Sequence, residues 1–352
     1  MNPQAKDAVT SDASVPDKAT TSEWAHALDA LKQRSFKMRV LIGLFQWLAN
    51  CSTPTRLRIG AFFTHAFRLI ARRRVNIVRV NIDLCFSDLS ASERKQIVRD
   101  HLRAFVQSFI DRSVFWFGSA EQVCELISCK GHEQVTALIA KHGSIMLLAP
   151  HFIGLDAAAS RLTYVGPEGA TMYSPQRDPD IDELVRLGRS RFNTVHLISR
   201  KQGIRALLRY INQNLPIYYL PDMDFGRTGA VFVPFFGVPA ATQTATAQIA
   251  RKWKLPVLPI FAQWDPKTGH YSVEVGAPLE DFPNLPASSV GSSLVESSPA
   301  GSDASAHEHD SIEDATARLN QHIESWVRRC PSQYYWVHRR FKTRPLGEAK
   351  FY

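Results

Sequence analysis

His151 and Asp156 stand five residues apart, just after the apolar run at 144–150. Imidazole is the side chain whose ordinary pKa lets it take a proton from a hydroxyl near neutral pH. A carboxylate on its second ring nitrogen fixes the tautomer and stabilises the imidazolium that forms. The pair therefore suits acyl transfer from a thioester to an alcohol, with His151 as general base and Asp156 orienting it. Spacing alone equally describes a helix cap beside a satisfied histidine, so the place of the pair in the fold decides its meaning. Downstream, Arg189 and Arg191 are fixed forks of donors suited to a sugar phosphate or a thioester oxyanion. They read equally as a solvated helix face. Asp222 and Asp224 follow an apolar stretch, as functional residues do, although a turn before Gly226 explains them as well. Arg227 behind them is a candidate phosphate contact.

Those residues need a scaffold, and the hydrophobic pattern supplies one. A helix over 91–117 leads to a buried strand within 144–150. Helices at 179–192, 202–214, 241–253 and 312–330 alternate with strands at 195–199, 216–221, 256–262 and 270–275. That alternation predicts an α/β fold with a mostly parallel central sheet flanked by helices. Functional residues in such sheets sit beyond the carboxyl ends of the strands, where His151 falls.

Charge is distributed unevenly. The formal net charge is +9. No acid occurs between Asp29 and Asp83, while eleven Lys or Arg do; Glu324 to Glu348 is likewise acid-free inside and holds six. Within 38–49 and 59–74 apolar residues recur at helical spacing beside that basic charge, the composition of helices that lie on an anionic membrane surface. A pair of core helices with a solvated basic face is the plainer reading. No run of 18 apolar residues exists. The expected division is a disordered tail over 1–30, a basic amphipathic membrane-associating segment over 31–80, and a catalytic α/β domain over 81–352. A Ser/Ala/Gly/Pro-rich insertion at 283–311 interrupts that domain. Deleting residues 284–309 is expected to leave activity and melting temperature nearly unchanged, because closure entropy varies slowly with loop length. Loss of folding on that deletion contradicts the assignment.

Five cysteines without a CxxC pair point to a reducing compartment, and to neither a disulfide framework nor a structural zinc site. The sequence has no GxSxG, GxxxxGK[ST], GxGxxG or HExxH. Serine hydrolases, P-loop enzymes, dinucleotide oxidoreductases and zincins thus lose their simplest support.

The APHFIGLD block at 149–156 resembles the HxxxxD/E motif of the glycerolipid acyltransferase superfamily. More narrowly, the chain resembles the late lipid A (lauroyl/myristoyl) acyltransferases over roughly 35–352. Blocks that carry this likeness are MYSP at 172–175, GRSRFN at 188–193, PDMDFG at 221–226, VFVPFFG at 231–237, AATQTA at 240–245 and QYYWVHRRFKTRP at 333–345. Many members have arginine where Ser174 stands, and Arg177 is the expected substitute. The resemblance implies an acyl carrier protein thioester as donor and a hydroxyl of a phosphorylated lipid A precursor as acceptor. It implies catalysis by His151 and Asp156; Arg177, and Arg189, Arg191, Asp224 and Arg227 from their own chemistry and position, are the expected substrate contacts. It further implies no metal or bound cofactor, no nucleic acid, and a place on the cytoplasmic face of the inner membrane. The competing expectations are acylation of another lipid, such as a lysophospholipid, and a non-catalytic basic protein that binds membrane or nucleic acid.

Overall fold

A computed structural model describes residues 18–284 and 311–352. Four helices open it: α1 (Lys18–Arg34), α2 (Phe36–Asn50), α3 (Thr53–Ile70) and α4 (Arg72–Cys85). The long α5 (Ala91–Phe117) follows, its start fixed by a capping box in which Ser90 and Glu93 satisfy each other's backbone N–H. Next come α6 (Ala120–Leu126), β1 (Ile127–Lys130), α7 (Glu133–His142), β2 (Met146–Leu148) and α8 (Leu155–Val165). Then β3 (Gly169–Tyr173), α9 (Pro179–Arg189), β4 (Val195–Ser199), α10 (Ile204–Ile211) and β5 (Ile217–Tyr219) continue the alternation. A hairpin of β6 (Ala230–Phe235) and β7 (Val238–Gln243), then α11 (Ala245–Trp253), β8 (Val257–Trp264), β9 (Tyr271–Val275) and α12 (Ile312–Arg329) complete it.

Seven strands form one sheet in the order β1-β9-β8-β2-β5-β3-β4, parallel throughout except for the antiparallel β8–β9 pair. Three residues of β2 are apolar and buried, as a strand covered on both faces requires. It lies between β5 and β8, with Leu147 opposite both Tyr218 and Leu258. The α/β architecture expected from the sequence is present.

Two expectations about the N-terminal half need correction. Residues 18–30 of the supposed tail belong to α1; Leu28 and Leu31 are buried with Met38, Ile42 and Leu184. The Trp24 indole donates to the Leu187 carbonyl, tying α1 to α9. Residues 31–80 do not form a separable segment, since Leu48, Val75 and Val78 enter the main core. The short-range pattern identified apolar helices correctly, but could not show that one face of each packs on α5.

Polarity in α3 is reversed from that of an ordinary core helix. Its buried residues are Arg56, Gly60 and Thr64, whereas Phe62, Phe63, Leu69 and Ile70 are exposed. Arg56 reaches Asp111 at 3.1 Å, and Asp111 also accepts from Gln107 and from the Tyr271 hydroxyl. A buried carboxylate thus joins α3, α5 and β9. The second acid-free stretch also turns inward: Arg340 is fully buried, donating to the Ala241 carbonyl, the Thr242 hydroxyl and Asn320.

Candidate active site

The loop after β2 places His151, and the loop after the adjoining β5 places Asp222. Parallel register aligns these strands from Met146↔Ile217 to Leu148↔Tyr219, and the Ala149 N–H continues it to the Tyr219 carbonyl. The two loops therefore leave the sheet side by side. His151 Nδ1 donates to Asp222 Oδ1 at 2.6 Å, and the His151 backbone N–H donates to Oδ2 at 2.8 Å. With Nδ1 protonated, Nε2 is the ring's acceptor. The Asp222 side chain is wholly buried, while that of His151 is 18% exposed. Burial by itself would raise the Asp222 carboxyl. The facing His151 and both hydrogen bonds outweigh burial and hold it well below the carboxylate range.

Asp156 does not make the expected contact with His151. It lies in the first turn of α8, where the helix dipole favours a carboxylate. Its oxygens are already occupied: Arg112 Nε donates to Oδ2 at 2.7 Å, and Arg189 Nε and Nη2 donate to Oδ1 at 3.3 and 3.1 Å. Burial opposes its ionisation, but the two guanidiniums win and lower its pKa to about 2. Asp156 therefore holds two arginines, and Asp222 is the histidine's carboxylate. Close backbone approach builds this cluster. A Cβ on Gly188 would lie 2.4 Å from the Trp116 ring, so its absence lets α9 bring Arg189 against α5.

The other candidates separate. Arg189 lines a cavity of about 560 Å³ with His151, Arg112, Tyr218, Phe225 and Tyr335. Arg191 does not join it; its guanidinium lies over the Trp24 and Phe192 rings. Asp224 accepts from the Thr343 backbone and hydroxyl, pinning the C-terminal segment. Arg227 is engaged by the Arg344 carbonyl and the Phe232 ring. Arg177 is exposed and outside the cavity lining. Arg112 was missed by the sequence reading; its one signal is the charged Asp111–Arg112 step inside the apolar run Phe109–Phe117. Arg200, also missed, stacks on Phe225 at 3.6 Å along the cavity rim. A second, apolar pocket shares Leu155, Asp156, Met172, Arg189 and Tyr218 with this cavity and runs on to Leu162, Val195 and Leu197.

Behind the site lie two buried histidines. His101 Nδ1 donates to the Ser332 carbonyl and His338 Nδ1 to that of Tyr335. Burial pushes both pKa values down to about 4. The unfolded chain, with histidine near 6.5, takes up these protons first as pH falls, so stability should drop between about pH 6.5 and 4. Asp111, pushed up by burial to about 6, opposes this below about pH 6, over most of that window. Two histidines outweigh one aspartate, giving an expected net loss of about 2–4 kcal/mol. Melting temperatures measured from pH 7.5 to 4.5 check this; a flat profile from 6.5 to 5 contradicts it.

The architecture and site define an α/β enzyme whose acid–base pair lies at the carboxyl ends of adjoining parallel strands. Residues 29–343 match the family model described as bacterial lipid A biosynthesis acyltransferase. The chain is 28% identical over 312 residues to the lipid A biosynthesis lauroyltransferase of Escherichia coli (strain K12), covering 88% of this chain and 93% of that protein. It is 31% identical over 291 residues to a lipid A biosynthesis acyltransferase of Haemophilus influenzae (strain ATCC 51907 / DSM 11121 / KW20 / Rd), covering 81% and 82%. The lipid A biosynthesis myristoyltransferase of E. coli K12 matches at 26% over 299 residues, covering 85% and 83%. This chain belongs to the bacterial lipid A biosynthesis acyltransferase family, and it is an acyltransferase.

Proposed function

We propose that this enzyme moves a fatty acyl chain from an acyl carrier protein thioester to a hydroxyl of a phosphorylated lipid A precursor. His151 on Asp222, opening onto a cavity with an apolar extension, is the observation that carries this reading. Nε2 of His151 takes the acceptor's hydroxyl proton, and the resulting alkoxide attacks the thioester carbonyl. Asp222 keeps Nδ1 protonated and stabilises the imidazolium. Arg112 and Arg189, steadied by Asp156, offer their remaining donors to the negative charge growing on the carbonyl oxygen. The proton on Nε2 then passes to the departing thiolate. The acyl tail occupies the apolar pocket beyond Tyr218. Incubating purified protein with acyl carrier protein thioesters and lipid A precursors, with products read by mass spectrometry, tests the reading. Acyl transfer to the precursor supports it, and transfer only to lysophospholipid redirects it.

The same reading places the enzyme on the cytoplasmic face of the inner membrane. No helix among the described residues is long and apolar enough to cross a membrane. Surface attachment is supported by exposed Phe36, Val40, Leu44 and Trp47 on α2, with Phe62, Phe63 and Ile70 on α3. Exposed Arg39, Arg58, Arg72 and Arg73 accompany them. Aromatic burial at the headgroup boundary combines with about 1 kcal/mol of attraction per nearby cation. Full-length protein should bind anionic vesicles at low salt. Phe62→Asp with Phe63→Asp should weaken that binding at least tenfold, the effect of losing more than about 1.4 kcal/mol. Unchanged binding counts against attachment through this face.

A further inference from the structure

A third concave surface, of about 510 Å³, lies between α3, α4 and the first half of α5. Its floor is apolar and buried, formed by Val75, Val98 and Leu102. Around it stand four exposed cations, Arg68, Arg79, Lys95 and Arg99. The one acid in the lining, Asp83, is held by Arg94 at 2.8 Å. None of the four cations forms an ion pair with a carboxylate among the described residues. Like charges gathered over an apolar floor repel one another, and an acidic surface laid across them relieves that repulsion. The shape also differs from the membrane-facing side of α2 and α3, where aromatic side chains protrude.

The surface is connected to the active site by α5. Positions 91, 95, 98 and 102 enter the groove; 105, 109 and 112 continue the same three-and-four spacing. Residues so spaced share one helix face. Phe109 and Arg112 line the His151 cavity. Between the two surfaces Phe105 packs on Phe109 and Tyr335, with ring centroids 5.0 and 5.9 Å apart. The Tyr335 backbone N–H bonds the His151 carbonyl. From Arg99 to Arg112 the helix rises roughly 20 Å, a distance within reach of an extended phosphopantetheine arm.

We propose that this groove docks the acyl donor's acidic carrier protein. An acidic helix of the carrier lies across Arg68, Arg79, Lys95 and Arg99, and its phosphopantetheine arm spans the distance from there to the His151 cavity, into which the exposed Phe109 of α5 opens. This rests on the carrier-protein donor proposed above. Complementary charge of this kind sets encounter and register, and weakens with salt.

The test compares two donors of the same acyl chain, one on acyl carrier protein and one on free pantetheine, using the full chain carrying Arg79→Glu, Lys95→Glu and Arg99→Glu. The KM for the carrier-bound donor should rise roughly tenfold or more and lose its salt dependence. Saturated kcat and turnover of the pantetheine thioester should stay near wild type. An unchanged carrier KM, or an equal loss with both donors, overturns the proposal. So does a loss of binding to anionic phosphatidylglycerol vesicles in place of the carrier effect, which would make the groove a lipid surface. If neither thioester is turned over by wild type, the functional reading fails; calorimetric binding of holo-carrier protein then tests docking alone. Binding that survives the triple reversal overturns it. Lys95→Glu alone, on an exposed helix position, serves if the triple variant does not fold.

Discussion

Replacing His151 with alanine should lower turnover by about 10²–10⁴-fold in purified, folded protein, the range for removal of a positioned base. Asp222→Asn should fall in the same class, because an amide at 222 leaves the geometry but no longer enforces the proton on Nδ1. Asp156→Asn acts differently. It loosens Arg112 and Arg189, so its loss should be smaller. Steady-state kinetics on the three variants separates the two carboxylates. Near-normal turnover in His151→Ala would sink the mechanism. A silent Asp222→Asn beside a crippled Asp156→Asn would return the orienting role to Asp156.

The largest stability effect is expected at Asp111. Its carboxylate and the Arg56 guanidinium are both buried, 3.1 Å apart. Asp111→Ala leaves an uncompensated cation inside the protein, with the Tyr271 hydroxyl and the Gln107 amide also losing their acceptor. Removing one partner of a buried pair typically costs 3–5 kcal/mol. Replacing both, as Arg56→Met with Asp111→Leu, should recover most of that loss because no charge is stranded. Denaturant unfolding of the two variants provides the measurement, and a cost below about 1 kcal/mol for Asp111→Ala contradicts the account. The pair also explains why α3 is no detachable anchor.

Much of the α/β order was legible because periodicity is a local property. The expected helix over 91–117 coincides with α5, and 312–330 with α12 to within one residue. Other elements were lost for local reasons. GATMY, β3, begins with small residues that give little strand signal. Residues 241–243, ATQ, were read as the start of a helix, yet they end β7, with the helix opening only at Ala245. The carboxylate partner was misread for a different reason. Five residues of sequence separate His151 from Asp156, and 71 separate it from Asp222, but adjacency in a parallel sheet is set by strand order. Nothing in one sequence revealed that β2 and β5 are neighbours. Arg191 looked like a ligand contact because a guanidinium is a ready fork of donors for an anion, and Asp224 and Arg227 because charge near a strand end attracts that reading. Their partners proved to be rings, a threonine and a carbonyl of the same chain.

The pairing of β2 with β5 and β8 has a consequence for how the enzyme acquires activity. Helices such as α2, α3 and α5 form from nearby sequence, whereas each of these strand pairings closes a long stretch of intervening chain. Closing such loops is entropically slow, and it follows local helix formation. A slip of one residue between β2 and β5 would also turn alternate side chains to the wrong face. During synthesis or refolding, helical structure therefore precedes the meeting of His151 and Asp222, and catalytic competence is among the last properties the chain gains.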